Sequence, residues 1–195
     1  SSNGNYLYSV SAADDAIAWF DRNASDGTLN YLGMLKDGVG GVDGLNEARN
    51  VSLSPDGNHL YVTAISDDAV SWFTINSSNG SLTYGGRVKN GSTGTFLDAP
   101  LSVFISPDGK HAYVTSFNSN SLGWYDRNAT TGELSYLGSL VDGFAQVDGL
   151  SQASGLAISS NGLHVYATGI NEDALVGFQR NTTNGELSSP LITGS

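Results

Sequence analysis

SPDGNHLYVT, residues 54–63, is predicted to form a tight turn followed by a strand, and the chain repeats this stretch. Pro55 sets φ, Asp56 can hydrogen-bond its own backbone, and Gly57 takes the positive-φ position of the turn. The aromatic and β-branched residues that follow favour a strand. Copies begin at residues 1, 54, 106 and 159, so the period is 52 or 53 residues. We therefore predict one array of four repeats, over residues 1–53, 54–105, 106–158 and 159–195.

Each full repeat contains four short stretches with the residue pattern of a β-strand. No stretch with helical periodicity is long enough to form a helix. In residues 48–91 the predicted strands are 49–53, 59–64, 69–75 and 82–88. Four-stranded antiparallel meanders repeated at this spacing are typical of β-propeller blades. We predict an all-β fold with three complete blades and a first blade, residues 5–37, that lacks its innermost strand. We expect that the two ends of this chain do not complete that blade.

Several residue types recur at the same place in successive repeats, which favours a role in packing between blades. A tryptophan or leucine that recurs once per blade is typical of such packing, and sugar stacking on the tryptophans is the alternative. The aligned histidines and arginines occupy different blades and need not converge, so we assign no catalytic residue. The aligned sets are Trp19, Trp72 and Trp124; Leu29, Leu82, Leu134 and Leu187; His59, His111 and His164; and Arg22, Arg127 and Arg180.

The composition excludes some partners and sites. The net charge is −11, from eight Lys and Arg against 19 Asp and Glu, which disfavours nucleic acid and anionic membranes. No apolar run approaches the length of a membrane span. Cysteine is absent, so no disulfide or thiolate metal site can form. The first residue is Ser1 rather than Met, which suggests processing or excision from a longer chain, and we expect an extracellular or cell-surface protein.

The crossover loops between repeats carry pairs of aspartates. Residues 37–45 and 142–150 share the pattern, whereas residues 90–98 have lost most of it. Calcium takes six to eight oxygen ligands from carboxylates and carbonyls on flexible loops. We predict calcium as the ligand of these loops, and the alternative is that the aspartates only cap turns. The candidate ligands are Asp37, Asp43, Asp142 and Asp148.

A glycosylation sequon recurs in the third turn of every repeat. If the source glycosylates secreted proteins, these sites would coat one rim of the array. The alternative is that Asn, Ser and Thr are simply common turn residues. The predicted glycosylation sites are Asn23, Asn76, Asn128 and Asn181.

The repeat motif resembles that of a known family. The turn-and-strand stretch is followed by Ala-Val-Ser-Trp-Phe at 69–73, and the third repeat carries Thr-Gly-Glu-Leu-Ser-Tyr at 131–136. These motifs are similar to those of the YVTN-type and lactonase-like β-propellers, which include the propeller form of 6-phosphogluconolactonase. The resemblance implies propeller blades and, as an activity, hydrolysis of sugar lactones. Members of the family are typically seven-bladed rings, so four repeats fall short of a circle.

Three functions are consistent with these observations. We favour a non-enzymatic extracellular structural or adhesion module that self-associates through its open blade ends into a homo-oligomeric ring or a filament, because unpaired blade flanks are docking surfaces. The first alternative is a lactonase-like hydrolase, which would need residues unique to one blade. The second is a propeller that binds a glycan or another ligand through its tryptophans and acidic loops.

Overall fold

The structure, a computed structural model, describes residues 1–91, 94–188, 190 and 192–194. The all-β prediction is confirmed, because these residues form fifteen strands in four antiparallel sheets. A three-residue 3-10 helix, Ile170–Glu172, lies in a loop between two strands of the last sheet, and no described helix is long and apolar enough to cross a membrane.

Each sheet is one blade, and its strands follow one another in chain order. Blade 1 has three strands and blades 2, 3 and 4 have four each, as predicted. The strands are β1 Tyr6–Ser11, β2 Ala16–Arg22, β3 Leu29–Lys36; β4 Ala48–Leu53, β5 His59–Ala64, β6 Ala69–Ile75, β7 Leu82–Lys89; β8 Pro100–Ile105, β9 His111–Ser116, β10 Ser121–Arg127, β11 Leu134–Val141; β12 Ala153–Ile158, β13 His164–Gly169, β14 Ala174–Gln179 and β15 Ile192–Gly194.

The first strands of blades 2, 3 and 4 lie side by side on the inside of the array. β4 packs against β8, and β8 packs against β12. Blade 1 has no such strand in the described residues, and β1 packs against β4 instead. A blade therefore takes its innermost strand from the end of one sequence repeat and its other three strands from the next.

The repeated turn is held by its serine. Ser54 Oγ accepts the backbone N–H of His59 at 2.9 Å and donates to the carboxylate of Asp56. Gly57, at φ 73°, closes the turn by donating its N–H to the carbonyl of Ser54. The same contacts recur at Ser106, and at Ser159 the amide oxygen of Asn161 takes the place of the carboxylate. This local geometry starts the second strand of each blade at a fixed point.

Apolar clusters fill the space between neighbouring blades. The tryptophans belong to these clusters and are at most 9% exposed. Each ring lies flat against a glycine of the outermost strand, and a Cβ at Gly138 would meet Trp124 at 2.5 Å. The prediction of a packing role is confirmed for Trp19, Trp72 and Trp124. The alternative of sugar stacking on these rings is wrong, because the faces are covered by protein.

Candidate functional site

Two kinds of loop meet at one end of the blades, which we call the upper face. These are the loops between the second and third strands and the crossovers between blades. In each blade, a side chain of the loop between the second and third strands accepts a hydrogen bond from a backbone N–H of the next crossover. These bonds join neighbouring blades. The pairs are Asp15 with Glu47 at 2.9 Å, Asp68 with Ala99 at 2.8 Å and Asn120 with Gln152 at 2.7 Å.

A charged pair stands on the upper face where the innermost strand of blade 2 begins. The Glu47 carboxylate lies 3.5 Å from the Arg49 guanidinium, and the two side chains are 42% and 48% exposed. Ser66 Oγ donates a hydrogen bond to the other carboxylate oxygen of Glu47. Arg49 is a bulge residue, since β4 pairs with β5 at Ala48 and resumes at Asn50. A bulge re-aims a side chain, and here it leaves Arg49 exposed on an innermost strand.

The backbone around this pair recurs in blades 3 and 4 without its charges. Glu47 has a left-handed φ of 54°, and its counterparts Ala99 and Gln152 have φ values of 53° and 55°. The counterparts of Arg49 are Leu101 and Ser154. Because neutral residues maintain the same backbone, the fold does not require a carboxylate and a guanidinium at these positions. Such a pair can accept a proton from water and stabilise a developing oxyanion.

Sequence comparison between repeats did not find this pair. The predicted site residues recur between repeats, whereas Glu47 and Arg49 do not recur. The signal was present as the contrast between Asn-Glu-Ala-Arg-Asn at 46–50 and Asp-Ala-Pro-Leu-Ser at 98–102. Departures from a repeat, rather than its constant residues, mark where one blade differs chemically from the others.

The structure brings the predicted calcium ligands together in two clusters and adds a third carboxylate to each. Asp37 and Asp43 meet Asp67, with one oxygen from each residue within 4.8 Å of the others. Asp142 and Asp148 meet Glu172 in the same way. Each added residue comes from the loop after the second strand of the following blade. Asp43 also pairs with Arg87, whereas the second cluster has no ion-pair partner in the described part of the chain.

The aspartates also accept hydrogen bonds from backbone N–H groups of their own loops, as expected if these residues only cap turns. Asp37 Oδ1 accepts the N–H groups of Gly44 and Leu45, both at 2.9 Å. In the middle crossover a neutral residue, Asn90, does the same for Leu97 at 3.1 Å. Ser92 and Thr93 of that loop lie outside the described residues. Calcium binding at Asp37, Asp43, Asp142 and Asp148 therefore stays a prediction.

A buried arginine joins blade 3 to blade 2 at the opposite end of the blades. Arg127, whose side chain is 1% exposed, donates through Nη2 to both carboxylate oxygens of Asp56, at 2.9 and 3.1 Å. The same Nη2 lies 2.8 Å from His59 Nδ1, and Nε donates to Tyr61 Oη at 2.8 Å. Since a guanidinium can only donate, Nδ1 of His59 is the acceptor and the ring is neutral. The group is an interlock between blades rather than an open site.

The same interlock joins blades 4 and 3, through Arg180, Asp108, His111 and Tyr113. Burial and then the guanidinium lower the pKa of both histidines below the usual value. Burial raises the pKa of Tyr61 and of Tyr113 to about 12. Partial burial by itself would raise the pKa of Asp56, but hydrogen bonds from Ser54, the backbone of Asn58 and Arg127 lower that pKa to about 2.

The sequon asparagines lie in exposed turns at that same end. Each accepts, through Oδ1, the backbone N–H two residues later, which is the ordinary turn role of asparagine. These bonds occur at Asn23, Asn76, Asn128 and Asn181, between 2.9 and 3.0 Å. These turn bonds are sufficient to account for an asparagine at each of the four positions. Glycosylation of these residues stays a prediction.

Comparison with known proteins gives a family match and distant relatives. The family model described as "Lactonase, 7-bladed beta-propeller" matches residues 1–147. A 6-phosphogluconolactonase of Formosa agariphila is 27% identical over 69% of this chain and 36% of its own length. One from Enterobacter sp. is 25% identical over 65% of this chain and 37% of its own length. The periplasmic gluconolactonase PpgL of Pseudomonas aeruginosa superposes with a TM-score of 0.75, at 20% identity, over 98% of this chain and 51% of that one.

These matches correct the function that we favoured from the sequence. The prediction of a non-enzymatic structural or adhesion module is wrong, because the curated relatives are named as 6-phosphogluconolactonases. The error came from giving more weight to the open blade flanks than to the family resemblance. The chain spans little more than a third of the length of those relatives.

Proposed function

The chain belongs to the seven-bladed lactonase family of β-propellers, and from this premise we propose that it acts in the hydrolysis of sugar lactones. The observation that carries the proposal is the Glu47–Arg49 pair on the innermost strand of blade 2. It is charged and half exposed, and it has no counterpart in the other described blades. Hydrolysis needs a proton acceptor for water and a positive group near the carbonyl oxygen, and this pair offers both.

The proposed reaction begins when Glu47 accepts a proton from a water molecule. The hydroxide adds to the lactone carbonyl carbon, and Arg49 stabilises the negative charge on the carbonyl oxygen. Breakage of the bond to the ring oxygen then opens the ring, and Glu47 returns the proton to that oxygen. The product is a hydroxy acid. Ser66 holds one carboxylate oxygen of Glu47, which leaves the oxygen nearer Arg49 to take the proton.

The other blades supply conservative variants for the test. Glu47→Gln introduces the residue found at 152, and Arg49→Leu introduces the residue found at 101, so both variants should fold. We expect the purified chain to open glucono-δ-lactone or its 6-phosphate faster than the spontaneous rate, and each variant to lose about 10²-fold or more. Glu133→Gln, an exposed residue at the opposite end, is the matched control and should keep full activity. A wild-type rate equal to the spontaneous one, or unchanged rates in both variants, would overturn the proposal.

An extracellular location and the sequon modifications stay predictions that accompany this proposal. Secretion would be tested by fractionating source cells and probing the fractions with an antibody raised against the chain. A signal confined to the cytosol would contradict it.

A further inference from the structure

We propose that the upper outer edge of blade 3 binds a small arylalkylamine, which is an aromatic ring joined by a short chain to a protonated amine. The described residues form an open hollow of about 270 Å³ there, between the crossover that enters blade 3 and the crossover that leaves it. Its lining is mostly apolar and comes from Phe96, the end of β11 at 139–141, Phe144, Ala145 and Val147. Blades 2 and 4 pack on the two sides of blade 3, so the hollow is not part of an uncovered blade flank.

The hollow exists because blade 3 carries a small residue where blades 1 and 2 carry a long one. Ser139 has the register position that Met34 has in blade 1 and Arg87 has in blade 2. In blade 2 the Arg87 side chain extends over this region, since a Cβ added to Gly44 would meet its Cδ at 3.0 Å and its guanidinium pairs with Asp43. A serine cannot reach so far, and the space in blade 3 stays open.

Two phenylalanines stand beside the hollow where other crossovers have smaller residues. Phe96 has the position of Gly44 and Gly149, because the leucine that follows each of the three donates the same loop hydrogen bond. Phe144 has the position of Val39 in the first crossover. The phenylalanines are 49% and 70% exposed, so two rings are available for an aromatic ligand to stack on.

The size of the hollow suits a single ring. A cavity of about 150 Å³ lined by apolar side chains is large enough to bind benzene. Drug-sized ligands fill pockets of about 300–1,000 Å³. At about 270 Å³, the hollow lies between these cases and fits one ring with a short substituent.

Carboxylates next to the hollow favour a positive charge on that substituent. Asp142 follows Val141 and Asp148 follows Val147, so each aspartate adjoins a residue of the lining. With Glu172 they form the acidic cluster that has no ion-pair partner among the described residues. Three close carboxylates in a chain of net charge −11 attract a cation. Adjoining Cα atoms are about 3.8 Å apart, and a spacer of about two carbons covers a comparable distance.

The inference does not depend on the proposed hydrolase, since it uses neither Glu47 nor Arg49. It does share Asp142, Asp148 and Glu172 with the second predicted calcium cluster. An ammonium group and calcium would therefore compete for the same oxygens, and binding has to be measured in the presence of a chelator.

Isothermal titration calorimetry with phenethylamine tests the proposal against two compounds that each lack one half of the ligand. Butylamine has the charge without the ring and should bind about 10-fold more weakly, because it buries less apolar surface. Phenethyl alcohol has the ring without the charge and should bind about 5-fold more weakly. Equal affinity of phenethylamine and either compound, or no binding of phenethylamine at millimolar concentration, would overturn the proposal.

The other repeats supply variants of the hollow that should fold. Ser139→Arg introduces the residue found at 87 and fills the space, and Phe144→Ser introduces the residue found at 92 and removes a ring. We expect each to weaken phenethylamine binding by about 10-fold. Val39→Ser makes a similar change in the first crossover and should bind like wild type. Wild-type affinity in both blade 3 variants, or an equal loss in Val39→Ser, would contradict the assignment.

A further pair of variants tests the carboxylates. Asp148→Asn should weaken phenethylamine binding by about 3-fold and leave phenethyl alcohol binding unchanged. Asp43→Asn, in the other acidic cluster, is the matched control and should change neither. Loss of both ligands in Asp148→Asn, with an unchanged circular dichroism spectrum, or loss of neither would show that the carboxylates do not select the amine.

Discussion

Arg127 and Asp56 pair across the boundary between blades 3 and 2, with 2.9 Å between Nη2 and the nearer carboxylate oxygen. The boundary between blades 1 and 2 is built differently. There the arginine position holds Ile75, the aspartate position Asn3 and the histidine position Tyr6, whose hydroxyl donates to the Ser78 carbonyl at 3.0 Å. Charged and neutral versions of one boundary thus coexist in a single chain, and the three positions change together.

This comparison predicts how the interlock contributes to stability. Arg127→Ile alone should lower the free energy of unfolding by about 3 kcal/mol, because it leaves Asp56 and His59 without their partner. Adding Asp56→Asn and His59→Tyr reproduces the neutral boundary and should recover most of the loss. Urea denaturation of the single and triple variants measures both. A triple variant as unstable as the single one would show that the three positions are not a unit.

The interlock histidines make the protein sensitive to acid. Their folded pKa values are below the ordinary 6.5, because of burial first and the adjacent arginines second. Well above pH 6.5 the histidines are neutral in both states, so they contribute no pH dependence there. As the pH falls below 6.5 the unfolded chain binds protons that the folded chain does not, and stability falls. Asp56, with a pKa of about 2, and Asp108, also lowered, add a further loss below about pH 4.

Urea midpoints between pH 8 and pH 5 check the histidine part of this dependence. His59→Gln with His111→Gln keeps an acceptor for each arginine but cannot take up a proton in this range. The double variant should therefore lose less stability than wild type between pH 7 and pH 5. Parallel curves for the two proteins would contradict the assignment.

Calcium should raise the melting temperature through the acidic clusters, and a chelator should reverse the rise. We expect Asp148→Asn to remove more of the effect than Asp43→Asn, because Arg87 already pairs with Asp43 and competes with a cation. A protein of this size gains about 2–4 °C per kcal/mol of stabilisation. Asp98→Asn, in the crossover where Asn90 replaces an aspartate, is the control and should leave the effect intact. Identical melting in millimolar calcium and in chelator would reject the predicted site.

The stacked tryptophans predict a steric effect at one class of glycine. Gly138→Ala places a methyl 2.5 Å from Trp124 Cζ2, closer than carbon atoms can approach, so the ring must move. We expect a loss of about 1–3 kcal/mol and a change in tryptophan fluorescence. Gly123→Ala is the control, because its methyl would meet no atom closer than 3.4 Å. Equal melting temperatures for the two variants would contradict this account of the ring packing.

Most of the blade architecture could be predicted from the sequence because it depends on local chemistry. The turn around Gly57 and the strands on either side of it are determined by residues within ten positions of one another, and the predicted strands 59–64 and 69–75 match β5 and β6. The first and last strands of blade 2 were each predicted one residue short, at Ala48 and Lys89, where pairing with a neighbour extends the strand beyond its own pattern.

The candidate sites could be predicted only in part because they combine distant residues. Asp37 and Asp43 were found as a loop motif, but Asp67 joins them only when the next blade packs alongside. Glu47 was not predicted as a site residue. The contact between Glu47 and Arg49 depends on the bulge in the pairing of β4 with β5, which no local pattern reveals.

The upper-face bonds from Asp15, Asp68 and Asn120 to the next crossover connect each blade only to its immediate successor. Every boundary therefore uses the same kind of connection, whichever two blades meet there. Duplication or deletion of one whole unit of 52 or 53 residues leaves each remaining carboxylate or amide opposite the crossover N–H of whichever blade follows it. Unequal recombination can thus change the number of blades without disturbing these upper-face connections.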